Sequence, residues 1–132
     1  MASFSMSSRL KLSTVHPALQ TLFNEVIKHR DCTIVCGERG KEEQNQAFEA
    51  GMSKLKWPNS KHNKAPSEAV DVVPYNDGVD YNSLDCCLFA GYVLAKAEAL
   101  GLRDVIRWGG DWNRNNKITD ESFRDLTHFE IV

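Results

Sequence analysis

The stretch SKHNKAPSEAVDVVP, residues 60–74, changes character halfway along its length. Its first part, with Lys61, Asn63, Lys64 and Pro66, has no apolar periodicity and closes a long loop running from about residue 52 to residue 68. Loops of that length inside a compact domain are usually functional or mobile. Its second part, AVDVV, is a β-branched run of the kind that fills a buried strand, yet Asp71 sits between Val70 and Val72. A carboxylate in that position must be paired, hydrogen-bonded or bound to a cation, because burying it bare is prohibitively costly. The loop delivers His62 nine residues upstream of it.

Outward from this strand the chain alternates helices and short strands. Leu19, Leu22, Phe23, Val26 and Ile27 form the i, i+3, i+4, i+7, i+8 stripe of a helix from about Pro17 to His29, with Pro17 in its first turn. Thr33 to Cys36 reads as a short strand ending at Gly37, and Lys41 to Ala50 as a helix closed by Gly51 in a left-handed cap. After the PYNDG turn, Asn82 or Ser83 caps a long helix to about Leu100, stopped by Gly101. Val105 to Trp108 and His128 to Val132 complete the strands. This order predicts an α+β fold, a small, largely antiparallel sheet packed by helices, in one domain over residues 1–132.

Composition narrows the function classes. The chain is 42% hydrophobic and 26% charged, with a formal net charge of -2, and has no apolar run near the about 20 residues of a membrane helix. The opening MASFSMSSRLKLS lacks the apolar centre of a secretory signal, so synthesis in the cytosol is expected. Residues 1–64 hold ten Lys/Arg against six Asp/Glu and residues 65–132 six against twelve, which argues against a nucleic-acid footprint and puts cation-attracting charge in the second half. Lys54, Lys56, Lys61 and Lys64 around Trp57 are either a solvated loop or a rim that attracts an anionic substrate. Cys32, Cys36, Cys86 and Cys87 lack paired CxxC spacing and read as buried free thiols.

Of the four histidines, His16 and His29 read as ordinary core or surface groups. His128 opens the strand HFEIV, where His128, Glu130 and Val132 share one face and Phe129 and Ile131 the other. His62, Asp71 and His128 together make a plausible zinc set, two imidazoles and a carboxylate with one tetrahedral position left for water. No short local motif links them, so spacing alone leaves satisfied structural histidines as the alternative.

Four blocks in register, CGERGKEEQ, SKHNKAPSEAVDVVPY, WGGDW and DLTHFEIV, are similar to the zinc peptidases that include D-Ala-D-Ala carboxypeptidases, vancomycin-resistance dipeptidases and phage L-alanyl-D-glutamate endopeptidases. The resemblance covers about Val35 to the C-terminus, and the phage branch is the nearest in wording. It implies a zinc site at the sheet face held by His62, Asp71 and His128, with Asp125, three residues before the last histidine, as general base. It further implies that Arg39 holds a substrate carbonyl or carboxylate, and that Gln44 and Ser60 orient substrate or the zinc ligands. The nine-residue step from His62 to Asp71 departs from the shorter segment of many relatives, and aspartate stands at position 125 where the carboxypeptidases carry glutamate.

DWNRNNKITDES offers a second cation candidate. Asp111, Asn113 and Asn115 take positions 1, 3 and 5 of an EF-hand-like calcium loop, with Asp120 and Glu121 as further oxygen donors, although Asn116 and Ser122 break the pattern. The alternative is an Asx-rich turn. The resemblance thus implies a zinc peptidase of peptidoglycan stem peptides, cutting between L-Ala and D-Glu as a monomeric phage or prophage endolysin. Such a protein would be made in the host cytoplasm and reach the periplasm through a separate pore. The alternatives are a D-Ala-D-Ala carboxypeptidase and a non-catalytic zinc-binding module on the same fold.

Overall fold

In the computed structural model, which describes residues 2–132, the chain order is α1 (Met6–Leu12), α2 (Pro17–Val26), β1 (Cys32–Cys36), α3 (Lys41–Glu49), β2 (Ala69–Pro74), α4 (Ser83–Ala99), β3 (Ile106–Trp108) and β4 (His128–Ile131). Short 3-10 turns at Lys61–Asn63 and Arg103–Val105 precede β2 and β3. The four strands of the described residues form one antiparallel sheet in the order β1-β2-β4-β3. The α+β expectation is met, with a wholly antiparallel sheet.

Alternation along each strand divides the sheet into two faces. Ile34 lies opposite Val72, Val70 opposite Phe129, and Phe129 opposite Trp108, and these residues are buried in the core against the helices. On α4, Cys86, Phe89, Ala90, Val93 and Ala97 recur at helical spacing on the buried side, and on α2 Leu19, Leu22, Phe23 and Val26 do the same. Phe129 stands between the rings of Phe23 and Phe89, edge-on to both. The opposite face carries the polar rungs: Asp71 across from His128, and Glu130 across from both Ala69 and Arg107.

Pro17 occupies the first turn of α2, and His16 is its cap, its Nδ1 accepting from the amide of Ala18 at 3.0 Å. Gly51 and Gly101 have φ of 76° and 73°, the left-handed conformation expected after α3 and α4. Boundaries moved by a few residues: α2 ends at Val26 instead of His29. Helix α1 was not expected. Its buried residues are Ser8, whose Oγ accepts from the amide of Ile34, and Leu12, and one buried apolar residue in seven is too little to read as a stripe.

Candidate metal centre and active site

The site is built where β1, β2 and β4 run side by side. Residues directly opposite in an antiparallel pair project to the same face, so the Asp71 and His128 side chains are neighbours by register alone. On the other flank the register shifts between Ile34 and Cys36, a β-bulge that sets Cys36 opposite Asp71. His62 comes from the 3-10 turn above. Ser60 caps that turn, its Oγ accepting from the His62 amide, while the Asn63 side chain closes the reciprocal bond to the Ser60 amide. The Arg39 amide donates to the His62 carbonyl at 2.8 Å and fixes the turn against β1.

His62 Nε2 and His128 Nδ1 lie 3.4 and 3.3 Å from Asp71 Oδ1. The outer nitrogen of each ring is committed elsewhere. His62 Nδ1 faces the Gly37 carbonyl at 2.8 Å, and His128 Nε2 faces Glu130 Oε1 at 2.8 Å. Both oxygens can only accept, so in the neutral form of each ring the outer nitrogen carries the proton and the inner nitrogen, on the Asp71 side, is left to act as a ligand. Asp71 Oδ1 is the one buried side-chain polar atom among the described residues without a hydrogen-bond partner. Asp71 belongs to two groups that could hold a metal ion, Cys36–His62–Asp71 and Asp71–Asp125–His128, and imidazole nitrogens with a carboxylate oxygen are donors that suit zinc. The residues therefore fit the metal that the sequence implied.

Without a metal, electrostatics favour a protonated ring beside Asp71. Burial disfavours the imidazolium at His62, but the hydrogen bond and charge of Asp71, with a smaller part from Cys36, outweigh it and raise the pKa to about 10. Burial also opposes ionisation of Asp71, yet His128 and His62 hold its carboxyl far below the usual carboxylate range. Glu130 is buried at 6% exposure and takes Arg107 Nε and Nη2 at 3.0 and 2.6 Å, with Lys61 Nζ at 3.4 Å. Burial would raise its pKa, but the bonds from His128 and Arg107 and the charges of His128 and Lys61 lower it to about 2.

Asp125 stands at the open side of the cluster, its Oδ2 3.9 Å from His128 Nδ1. Its carboxyl pKa is raised, first by burial and then by the charge of Asp71. Its amide donates to the Gly109 carbonyl at 2.8 Å, and a Cβ on Gly109 would sit 2.2 Å from the Asp125 carbonyl oxygen, so only glycine allows this approach. Arg39 reaches the cluster from the far side. Its Nη2 is 3.6 Å from Asp71 Oδ2, and its Nη1 donates to Gln44 Oε1 at 3.0 Å. Gln44, fully buried, also accepts from Asn63 and donates to Ser53 and the Leu55 carbonyl, tying α3 to the 52–68 loop.

The seven residues anticipated around the expected zinc site lie together, with Ser60 bonded to His62 and Gln44 to Arg39. Two further residues take part, Glu130, placed on the His128 face from the sequence but given no role there, and Cys36. Glu130 is the group that orients His128, and its place beside His128 on one strand face was the available signal. Cys36 lies 3.9 Å from His62 Nδ1 and 3.6 Å from Arg39 Nη2, and the bulge that puts it there leaves no trace in the sequence. The cysteines are free, but Cys36 and Cys87 are only half-buried, in contrast to Cys32 and Cys86.

The Asp111 loop adjoins the cluster through Trp112, whose ring lies 5.6 Å from that of His128. Asp111 accepts from the amides of Asn115 and Asn116, Asn113 Oδ1 from the Asn115 amide, and Glu121 from the Trp112 amide, while Asp120 takes the Asn113 and Asn115 side chains. These are the bonds of the Asx-turn alternative, with Arg114 and Asn116 at positive φ.

The chain matches the phage L-alanyl-D-glutamate peptidase family over residues 1–132. It is similar in structure to the Serratia marcescens L-Ala D-Glu endopeptidase ChiX, with a TM-score of 0.75 and 25% identity over 98% of this chain and 89% of that one. Curated protein sequences give no match. With fold, site and family in agreement, the chain belongs to the phage L-alanyl-D-glutamate peptidases, enzymes of peptidoglycan.

Proposed function

We propose that this protein is a zinc-dependent endopeptidase that cuts the L-Ala–D-Glu bond of peptidoglycan stem peptides, and that it serves as an endolysin in phage or prophage lysis. The observation that carries the metal assignment is the pair of imidazole nitrogens, of His62 and His128, 3.4 and 3.3 Å from Asp71 Oδ1, a buried oxygen with no hydrogen-bond partner. The bond specificity rests on the family and on what ChiX is described as cutting.

Zinc, when bound, supplies Lewis-acid activation of water and of the scissile carbonyl. His62, Asp71 and His128 would hold it. Asp125, half-buried and with a raised pKa, is suited to take a proton from the attacking water and return it to the leaving amine. Arg39, anchored by Gln44, presents its remaining N–H groups to the carbonyl oxygen as negative charge develops there. Acting as a monomer, made in the host cytoplasm and released through a separate pore, such an enzyme would meet its substrate in the periplasm.

The test is Asp125→Asn compared with the wild type on purified peptidoglycan, with zinc content measured on both and new termini identified by mass spectrometry. The expected result is full zinc content with kcat reduced about 10²- to 10⁴-fold. Wild-type digestion should leave a new N-terminal D-Glu. Released D-Ala would mean a carboxypeptidase, and equal digestion by both proteins would remove Asp125 as the base.

A further inference from the structure

Outside the metal cluster, one continuous feature leads away from it. The Trp112 ring lies 5.6 Å from the His128 ring, and Phe123 stacks on Trp112 at 6.1 Å with only 10° between their planes. Trp112 Nε1 donates to the Phe123 carbonyl at 2.9 Å, which holds the stack together. Phe123 remains 40% exposed, and the ammonium of Lys54, from the 52–68 loop, sits 4.1 Å over its ring. A wall of two aromatic rings thus begins at a metal ligand and ends in a cation.

Ion pairing separates Lys54 from the cations at the metal cluster. Arg39 is paired with Asp71, Arg107 with Glu130, and Lys61 with Glu130 and the Ile131 carbonyl. Among the described residues no carboxylate lies within ion-pair distance of Lys54. A solvent-facing ammonium held by an aromatic ring at the rim of a site is free to take an anion from the substrate.

Resting on the proposed stem-peptide activity, we propose that Lys54, seated on the Trp112–Phe123 wall, is a specificity-determining residue that binds a carboxylate of the stem peptide on the C-terminal side of the scissile bond. The chemistry of the substrate supplies the charge. A glutamate residue has two carboxyls and only one can continue the chain, so D-Glu brings a free carboxylate past the cut, and the peptide's C-terminus brings another. The rings give the intervening apolar atoms a surface to lie on, and the ammonium reads the charge at its end.

The experiment uses the full zinc-loaded chain and three stem tripeptides: one with all carboxylates free, one with the free D-Glu carboxylate as its amide, and one with the C-terminal carboxylate as its amide. With the first, Lys54→Ala should raise KM about three- to ten-fold and leave kcat within about twofold, Lys54→Glu should raise KM further, and Lys54→Arg should stay near the wild type. The wild type should show the same KM rise on one of the two amides, and on that amide Lys54→Ala should add nothing, which identifies the carboxylate that Lys54 holds. Phe123→Leu, which keeps an apolar wall but removes the ring under the ammonium, should give an intermediate KM. Lys54→Ala kinetics equal to the wild type, a loss confined to kcat, or losses that multiply on both amides would overturn the inference alone. A wild type that cleaves none of the three peptides would overturn it together with the stem-peptide activity.

Discussion

Replacing Glu130 by glutamine keeps shape and volume while removing the charge that three neighbours share. The side chain is 7% exposed and receives His128 Nε2 and two Arg107 donors, with Lys61 Nζ at 3.4 Å. Its pKa, lowered from 4.5 to about 2, corresponds to a ceiling of roughly 3 kcal/mol of folded-state stabilisation of the charged form. The sign follows from the direction: a depressed carboxyl stabilises the fold above its unfolded pKa, and the effect is lost as pH falls toward about 2. Arg107 and Lys61 are 29% and 32% exposed at their side chains, so water recovers part of their loss. About 1–3 kcal/mol is therefore expected to disappear from the metal-free protein in Glu130→Gln, measured by denaturant unfolding at pH 7. The effect on metal is separate. A neutral amide can still accept from His128 but orients the ring less firmly and makes it a weaker base, so zinc affinity should fall about 10- to 100-fold in titrations against a competing chelator. Wild-type affinity and unchanged unfolding in Glu130→Gln would refute the claim that this carboxylate locks His128.

Gly109→Ala should lower kcat at least about tenfold with zinc content retained, because the new Cβ forces the Asp125 segment to shift, and unchanged kcat would show that the base does not depend on this close approach. Zinc binding to the metal-free protein at pH 7 should release at least one proton, seen by calorimetry in buffers of different ionisation enthalpy, since His62 with a pKa near 10 must give up its charge to become a ligand. For the same reason the His62 contribution to the metal-free fold is complete below about pH 6.5 and is lost as pH rises through about 10.

What could be read beforehand divides along physical lines. Asp71 announced itself because a carboxylate between buried valines is expensive without a partner, and the capping glycines and the stripe of α2 were legible because they are local. Helix α1 escaped because it buries only Ser8 and Leu12, too few to show an apolar periodicity, and α3, which buries only Gln44, shows none either. Cys36 and the full role of Glu130 escaped for another reason. Each depends on which residue lies opposite which across the sheet, and the bulge in β1 shifts that pairing by a residue.

The strand order β1-β2-β4-β3 places β4 between β2 and β3, although the whole of α4 and the 109–127 loop separate it from β2 in the chain. His128 meets Asp71 only when the ends of that long segment have closed, an entropic cost met late in folding because non-local pairings give nothing back until they form. Before β4 docks, the chain can bring Cys36, His62 and Asp71 together but has neither His128 nor Asp125 beside them. Completing the cluster and completing the sheet are therefore one event.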